Sequence, residues 1–546
     1  MTTVNSSAVE KRRVSTPTWL LLAVVAWMTG TWYFYRGFFR SDLGVTQGDN
    51  GDGRLTEVIA GHWREPFQFA GGLTDIGIFY PFGQGLMYSD TMMLFGIITL
   101  PLVPLGIDPS VAFQISLIVA STIGFFATLA FLRLGPQSPW IIAIGASFVV
   151  AFSNGLLVAS NHPQLLAVGF LPLAALLYLF AIRARNQRMG FVFACLSGLL
   201  FAATTYTTFA IGWFAVLGVA VFLIAWILLA RPLSATKLLV GRHGKLVIAF
   251  VVGAVPLVLL FGFTYLPLLS QGAGRSISEV RNYALQPADL LAVSPTNVVW
   301  FRPLFHLFNG MSDTERAMAP TPLLLLSAWT LLFAALISRQ RHLPWMAAGT
   351  ASIVAGLTLW LLPVTWGSFF PWAALHSVVP GADAIRAIGR IELMAGLLIT
   401  VGSAVVAGRL WRSKSRSTSV VVLGSSLVVV IVAEQANFLV QQNVSVEDVQ
   451  ALRSVPAPPL TCESFVLLPP FPADRAENGQ TDAAIIAQTH GIPTWNGSSG
   501  GIPPGWSLGI MDVPADYLRA ASQYELNNDI QDACQISLAT KQWTLR

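Results

Sequence analysis

The chain has 546 residues, of which 54% are hydrophobic and only 11% are charged. Soluble globular proteins carry about 25% charged residues, so this composition excludes an ordinary soluble domain and indicates a protein with many membrane crossings. The formal net charge of +5 does not indicate nucleic-acid binding. The surplus Lys and Arg lie in short loops between apolar segments, where they set the orientation of membrane helices.

The apolar segments begin with TWLLLAVVAWMTGTWYFY from Thr18, which follows Lys11, Arg12 and Arg13. No small-residue cleavage site follows this segment, so we expect a retained first helix with a cytoplasmic N-terminus. Further segments along the chain are long enough to span a hydrocarbon core of about 30 Å. They are residues 110–134, 139–159, 163–184, 189–206, 207–230, 246–268, 321–338, 343–363, 391–408 and 418–438.

Segment 92–107, MMLFGIITLPLVPLGI, is short and is interrupted by prolines. Counting it as a crossing would place RARNQR (183–188) and RLWRSKSR (409–416) outside, against the positive-inside rule. We therefore predict a re-entrant or interfacial segment and about eleven crossings. Of the 27 Asp and Glu residues, only Glu10 then falls in a cytoplasmic segment, which independently supports this topology.

This topology predicts an α-helical polytopic integral membrane protein with a small α/β extracytoplasmic domain at its C-terminus. In the tail, β-prone runs such as SFVLLPP alternate with turn signals and helical stretches, which is typical of an α/β domain. The predicted parts are a cytoplasmic tail (1–16), a transmembrane bundle (17–438) with outer loops 37–91, 269–320 and 364–390, and the C-terminal domain (439–546).

Two of the three cysteines, Cys462 and Cys534, lie in the predicted outer domain. An extracytoplasmic pair favours a disulfide, because disulfides persist in oxidising compartments. Two buried free thiols are the alternative. Cys195 lies inside a predicted span and is expected to pack there.

The first outer loop contains a dense polar run, TQGDNGDGRLTEVIAGHWREP (46–66). The run is not an EF-hand, because aligning Gly53 with the invariant glycine puts Gly48 and Ile59 where carboxylates are required. Asp49 and Asp52 then stand at the start of a short amphipathic helix. Helix capping by Asp52 is the structural alternative, but it explains only one of the two carboxylates.

The stretches GDNGDGRL, FYP, YSDT, NHPQLLAVGFLPLA and IRAIGR resemble a group of uncharacterised bacterial polytopic proteins. These are similar to the GT-C superfamily of membrane glycosyltransferases, which includes protein O-mannosyltransferases, oligosaccharyltransferase catalytic subunits and lipid A aminoarabinose transferases. The resemblance implies a bacterial plasma-membrane enzyme that moves a sugar, with inversion, from a polyprenyl-phosphate donor to an envelope glycan, lipid or protein. It also implies that Asp49 is the base, with Asp52 as its partner or as a metal ligand beside it.

Such a transfer needs positive charge on the departing lipid phosphate, supplied by Arg or by a divalent metal such as Mg or Mn. Arg386 and Arg390, spaced i, i+4 before span 391–408, are expected to share one helix face and to grip phosphate. Binding of membrane lipid headgroups is the alternative for these arginines. The full set of predicted substrate-binding residues is Glu57, His62, Asp90, His162, Gln164, Arg386 and Arg390.

Structural alternatives exist for several of these residues. Asp90 in YSDT is equally consistent with the N-cap of segment 92–107. His162 and Gln164 are equally consistent with a hydrogen-bonded loop in which Pro163 begins the next helix. Glu434, near the outer end of the last span, is expected to pair rather than to face lipid.

Two other functions remain open at this point. The first is a transporter or flippase of lipid-linked sugars, although transporters typically show internal repeats and polar groups near the bilayer midplane. The second is a non-catalytic envelope assembly protein. No GxxxxGK[ST] motif or strand-bound GxGxxG motif is present, so no nucleotide site is expected.

The predicted topology can be tested by labelling single cysteines in intact cells with a membrane-impermeant maleimide. Positions within 40–64, 275–316 and 470–530 should react, while positions within 183–188 and 409–416 should react only after permeabilisation, because those loops are inside. A Cys195→Ser background removes the native free thiol. Labelling of either basic loop in intact cells would contradict the topology.

Overall fold

Helices make up most of the described chain, and many of them are long and apolar, in keeping with its composition. The computed structural model describes residues 15–230, 242–270, 274–300, 314–414, 418–469, 476–509 and 513–546. Within these residues, eight helices are long and apolar enough to cross a membrane. They are Pro109–Leu134, Trp140–Ala159, Pro163–Arg183, Gln187–Thr207, Phe209–Leu229, His243–Leu268, Pro344–Leu361 and Ile388–Arg412.

Helices also occupy the other three predicted crossings, but these helices are shorter or less apolar. Thr16–Phe34 has 19 residues, and Pro322–Ile337 and Thr418–Ala433 each have 16. The total of about eleven crossings therefore stays a prediction. Segment 92–107 contains only the seven-residue helix Met93–Thr99 followed by a 3-10 turn, which is too short to span a bilayer.

The secondary structure is named here in chain order. The helices are α1 (Thr16–Phe34), α2 (Arg36–Arg40), α3 (Asp52–His62), α4 (Met93–Thr99), α5 (Pro109–Leu134), α6 (Trp140–Phe152), α7 (Asn154–Ala159), α8 (Leu171–Arg183), α9 (Gln187–Thr207), α10 (Phe209–Leu229), α11 (Arg242–Ser270), α12 (Ile277–Asn282), α13 (Pro322–Ile337), α14 (Pro344–Leu361), α15 (Trp372–Val378), α16 (Ile391–Lys414), α17 (Thr418–Ala433), α18 (Val446–Arg453), α19 (Ala476–His490) and α20 (Pro514–Asn527). The strands are β1 (Val45–Thr46), β2 (Val444–Ser445), β3 (Ser464–Leu468), β4 (Ala533–Ser537) and β5 (Gln542–Leu545).

Small residues set the closest helix contacts in the bundle. A Cβ on Gly198 would lie 1.8 Å from the carbonyl oxygen of Phe250, and a Cβ on Gly253 would lie 2.0 Å from that of Cys195. Helices α9 and α11 can therefore meet backbone to backbone only because glycine stands at both contacts. Such packing provides van der Waals contact between helices whose surfaces are as apolar as the lipid.

Glu434 is buried just after the C-terminal end of α17 and makes several hydrogen bonds. Its carboxylate accepts the backbone N–H groups of Leu323 and Leu324, the Thr321 hydroxyl and the Trp300 indole N–H. The side chain thus satisfies donors in the first turn of α13, which have no partner within that helix. The carboxylate pairs inside the protein and does not face lipid.

The C-terminal segment contains the three-stranded sheet β3-β4-β5, in which β3 and β4 are parallel and β4 and β5 are antiparallel. Cys462 and Cys534 form a disulfide with Cα atoms 5.5 Å apart and 72 residues of sequence separation. The bridge joins the residues just before β3 to β4, and so ties the two ends of this segment together. Closing a loop of this length stabilises the folded state by about 4 kcal/mol in the chain-entropy model.

The C-terminal segment also docks directly on the first outer loop. Strand β2 pairs with β1 in antiparallel register, Val45 opposite Ser445. Buried Arg54 in α3 forms an ion pair with Asp482 in α19, and the Gln488 side chain donates to the carbonyl of Val58 at 2.8 Å. The first outer loop is therefore held between the bundle and the tail.

The disulfide generates a direct test. Peptide mapping of the unreduced protein by mass spectrometry should show one peptide pair that joins Cys462 and Cys534, and the pair should persist in a Cys195→Ser control. Replacing both bridged cysteines with Ser should destabilise the tail by about 4 kcal/mol, measured as resistance to proteolysis. Two thiols that alkylate freely without reductant would contradict the bridge.

Candidate functional site

Asp49 holds the turn of the first outer loop. One carboxylate oxygen accepts the backbone N–H groups of Gly51 at 3.0 Å and Gly53 at 3.3 Å, and the other accepts the Asn161 amide at 2.8 Å. The turn is tight because Gly48 has a φ of +100°, and a Cβ on it would lie 2.6 Å from Gly53 Cα. Both oxygens of Asp49 are thus engaged in fixing this turn against the turn that follows α7.

Asp52 has a different environment although it is only three residues away. It is the first residue of α3, whose N-cap is Gly51, so Asp52 does not occupy the capping position, and the Gly53 N–H of the first turn is accepted by Asp49. The Asp52 carboxylate instead lies 2.7 Å from Nδ1 of His162, with 47% of its side chain exposed. Capping, the structural alternative for Asp52, is therefore not what the carboxylate does. Asp52 is the accessible acid of the pair.

His162 lies between two carboxylates. Its Nδ1 faces Asp52, and its Nε2 lies 2.8 Å from Oε1 of Glu315. The Nδ1–H is not aligned on the Asp52 oxygen as in a normal hydrogen bond, so this contact is chiefly an ion pair. Because both ring nitrogens face acceptors, the doubly protonated imidazolium is the form that suits this position.

Glu315 also pairs with Arg390, in a bidentate arrangement. Arg390 Nε donates to Oε2 at 3.0 Å and Nη2 donates to Oε1 at 2.6 Å. The turn Thr314–Arg316 lies close against Gly389. A Cβ at position 389 would lie only 2.6 Å from the Glu315 carbonyl oxygen, so this approach requires glycine. We call Asp52, His162, Glu315 and Arg390 the charge cluster.

The charge cluster shifts the pKa values of its members outside the helices. Burial alone would lower the pKa of His162, but Asp52 and Glu315 together raise that pKa to about 9. Burial alone would raise the pKa of both carboxyl groups, yet His162 lowers that of Asp52, and His162 with Arg390 lowers that of Glu315. At neutral pH the cluster therefore contains two carboxylates and two cations.

Asp90 and Gln164 adjoin the charge cluster. One Asp90 oxygen accepts the backbone N–H of Phe209 at 2.7 Å, so Asp90 caps the first turn of α10. It does not cap segment 92–107, because the helix in that segment has Met92 as its N-cap. Burial raises the pKa of Asp90 to about 6, although the Phe209 N–H and the charges of Arg390 and His162 act in the opposite direction. Gln164 Oε1 is buried and has no hydrogen-bond partner in the described parts of the chain.

Three residues predicted for the site lie elsewhere. Glu57 is buried and accepts from Arg453 in α18 and from the Ser110 hydroxyl, so it ties the first loop to the tail and to α5. His62 is buried with its Nε2 2.9 Å from the Leu73 carbonyl oxygen. These contacts are structural.

Arg386 is the third, because it and Arg390 do not share a helix face. The backbone from 385 to 387 is not helical, Ile388–Arg390 is a 3-10 turn, and α16 begins only at Ile391. Arg386 is exposed, with its guanidinium 5.1 Å from the Tyr283 ring centre. The predicted i, i+4 pair was therefore wrong, since it assumed a helix that starts earlier than it does.

Glu315 is a member of the charge cluster that was not predicted. The only sequence signal for Glu315 is its position in SDTERAMAP, an acidic residue just before an apolar span. Its partners come from distant segments, so spacing along the chain carries no information about them.

The predicted metal ligands do not form a metal site here. Asp49 uses both oxygens locally, and Asp52 faces a cation. Within the described ranges, no three His, Cys, Asp or Glu side chains are grouped so that they could hold a metal ion.

The sequence matches no family model and no curated protein. Among solved structures, the oligosaccharyltransferase of Archaeoglobus fulgidus in complex with Zn and sulfate matches with a TM-score of 0.50 and 11% identity, over 94% of this chain and 67% of that one. The chain therefore has a fold like that of this oligosaccharyltransferase. The same organism's AglB with an inhibitory peptide and a dolichol-phosphate aligns over 95% of this chain and 69% of that one, at 11% identity and a TM-score of 0.48. At this identity the likeness describes the fold alone.

The raised pKa of His162 predicts a pH dependence of stability. The imidazolium contacts contribute fully below the unfolded-state pKa of about 6.5, and their contribution is lost as pH rises through about 9. The free energy of unfolding of the detergent-solubilised protein should therefore fall by on the order of 2 kcal/mol over this window, which is measured as a lower unfolding temperature. His162→Gln should lack this fall, and His342→Gln, at an exposed histidine, should keep it. Equal pH slopes for His162→Gln and wild type would contradict the paired imidazolium.

Proposed function

We propose that the protein is a membrane glycosyltransferase that moves a sugar from a polyprenyl-phosphate donor to an acceptor on the outer side of the membrane. The observation that carries this proposal is an accessible carboxylate, Asp52, beside the two cations His162 and Arg390 at one end of the helix bundle. Inverting transfer from a lipid phosphate needs a base on one side of the sugar and positive charge on the other.

We propose Asp52 as the base, in place of Asp49. A base must reach the acceptor hydroxyl directly or through one water, and Asp52 keeps about half of its side chain exposed, 47%. Asp49 has both oxygens committed to the loop turn and to Asn161. In the reaction, the acceptor oxygen forms a bond to the anomeric carbon while its proton passes to Asp52. The bond from that carbon to the phosphate oxygen breaks, and polyprenyl phosphate leaves with the electron pair.

Arg390 is the proposed phosphate-binding residue. Its Nε and Nη2 are held by Glu315, which orients the guanidinium plane and leaves Nη1 for the leaving phosphate. Asp90 and Gln164, which border the cluster, are the proposed sugar-binding groups. Carboxylates and amides pair well with sugar hydroxyls, and Gln164 Oε1 is buried without a partner among the described residues.

A divalent ion is the alternative source of positive charge, because the similar archaeal structure holds Zn. The donor geometry described above does not fit such an ion, so no step is assigned to Mg or Mn. The acceptor class is a glycan, lipid or protein of the envelope, and a bacterial plasma membrane is the proposed location. The transporter alternative has less support, since the charge cluster lies at helix ends rather than within the spans.

Asp52→Asn and Asp49→Asn should produce different defects. Asp52→Asn keeps the shape but removes the base, so transfer from polyprenyl-phosphate sugars in isolated membranes should fall by about 100-fold or more, far more than the modest drop in unfolding temperature caused by losing the ion pair with His162. In Asp49→Asn, a neutral amide oxygen replaces the carboxylate that accepts the backbone N–H groups of Gly51 and Gly53, so these hydrogen bonds weaken. The unfolding temperature and the activity should therefore fall together. Asp42→Asn is the matched control in the same loop, because Asp42 is exposed and its positive φ of 50° suits Asn.

The donor sugar is identified by comparing envelope glycans of cells with and without the protein, followed by incubation with individual polyprenyl-phosphate sugars. Full activity in Asp52→Asn would remove Asp52 as the base. An unchanged envelope glycan profile, together with no transfer from any donor, would contradict the glycosyltransferase function itself.

A further inference from the structure

The charge cluster is neutralised by side chains of the protein itself. Two carboxylates, Asp52 and Glu315, face two cations, His162 and Arg390, through contacts of 2.6 to 2.8 Å. A divalent ion is attracted by an excess of carboxylate charge and oxygen ligands that converge on one point. Neither condition is met by these four side chains.

The position of His162 prevents the two carboxylates from sharing an ion. The imidazole ring lies between them, with Nδ1 towards Asp52 and Nε2 towards Glu315. A metal ion would need a deprotonated ring nitrogen and both carboxylates on the same side of it. Binding would therefore require the ring to leave its place and break both ion pairs.

Both oxygens of Glu315 are already engaged by cations of the protein. Oε2 accepts from Arg390 Nε, and Oε1 is shared by Arg390 Nη2 and His162 Nε2. Moving Arg390 away would leave a guanidinium unpaired in a largely buried position, with only 16% of its side chain exposed. Breaking such a buried pair costs several kcal/mol.

We infer that the imidazolium of His162 and the guanidinium of Arg390 take the place of a divalent ion, so that this protein binds its donor phosphate without metal. The inference rests on the proposed function and specifies the chemistry of the same site. His162 keeps Asp52 and Glu315 from repelling the incoming phosphate, while Arg390 presents Nη1 to it. Planar guanidinium donors suit phosphate oxygens and carry charge at every physiological pH.

The test measures binding of farnesyl phosphate, a short isoprenoid phosphate, to the full chain in detergent by microscale thermophoresis. The protein is measured with EDTA, with Mg²⁺ and with Mn²⁺. We expect the same dissociation constant in all three conditions. Arg390→Ala should weaken binding about tenfold or more in EDTA, because it removes the charge-assisted contacts to phosphate. Arg519→Ala is the charge-matched control, since Arg519 is 82% exposed on the C-terminal domain.

The outcomes separate this inference from the proposed function. Binding that disappears in EDTA and returns with Mn²⁺ would overturn the inference and leave the proposed function standing. No binding in any condition would overturn the proposed function and the inference with it. Metal-independent binding that Arg390→Ala leaves unchanged would also overturn the inference, because the phosphate would then be held elsewhere. If Arg390→Ala does not fold, Arg390→Lys, which keeps the charge, should show weaker but still EDTA-resistant binding.

Discussion

Four ionisable side chains can sit together at the end of an apolar helix bundle only because each charge faces an opposite one. An unpaired ion in such a position costs several kcal/mol, whereas the pairs Asp52–His162, His162–Glu315 and Glu315–Arg390 form a continuous chain of contacts. Each member comes from a different segment of the protein. Forming the pairs therefore fixes four segments relative to one another at the same time. The geometry of the site and the packing of these four segments therefore depend on the same three ion pairs.

The C-terminal domain contributes to this arrangement without supplying a member of the cluster. Asp482 of this domain forms an ion pair with Arg54 of α3, and Arg453 forms an ion pair with Glu57 of the same helix. Helix α3 carries Asp52 at its first position, so these ion pairs set where the proposed base lies. Mutations in the tail are therefore expected to act on the site through the position of α3. The C-terminal domain is therefore a structural support of the site.

Asp49 and Asp52 show how neighbours decide what a carboxylate does. Both belong to one short motif and have the same intrinsic chemistry. Asp49 lies inside a tight turn, where backbone N–H groups and Asn161 occupy its oxygens. Asp52 begins a helix, and its carboxylate points away from that helix towards a cation and solvent. The first is committed to structural contacts, and the second is the proposed base.

The sequence by itself determined the membrane class, the place of the long helices and the α/β tail, and it predicted an acidic site in loop 37–91. These features follow from local composition and from charge along the chain, which act over a few residues. The sequence also predicted His162 and Arg390 as site residues, and both belong to the charge cluster. Only the tertiary structure decided that Glu315 joins them, that Arg386 does not, and that Glu57 and His62 are structural. The physical reason is that ion pairs form between residues close in space, and residues 52, 162, 315 and 390 are brought together only when the whole bundle has folded.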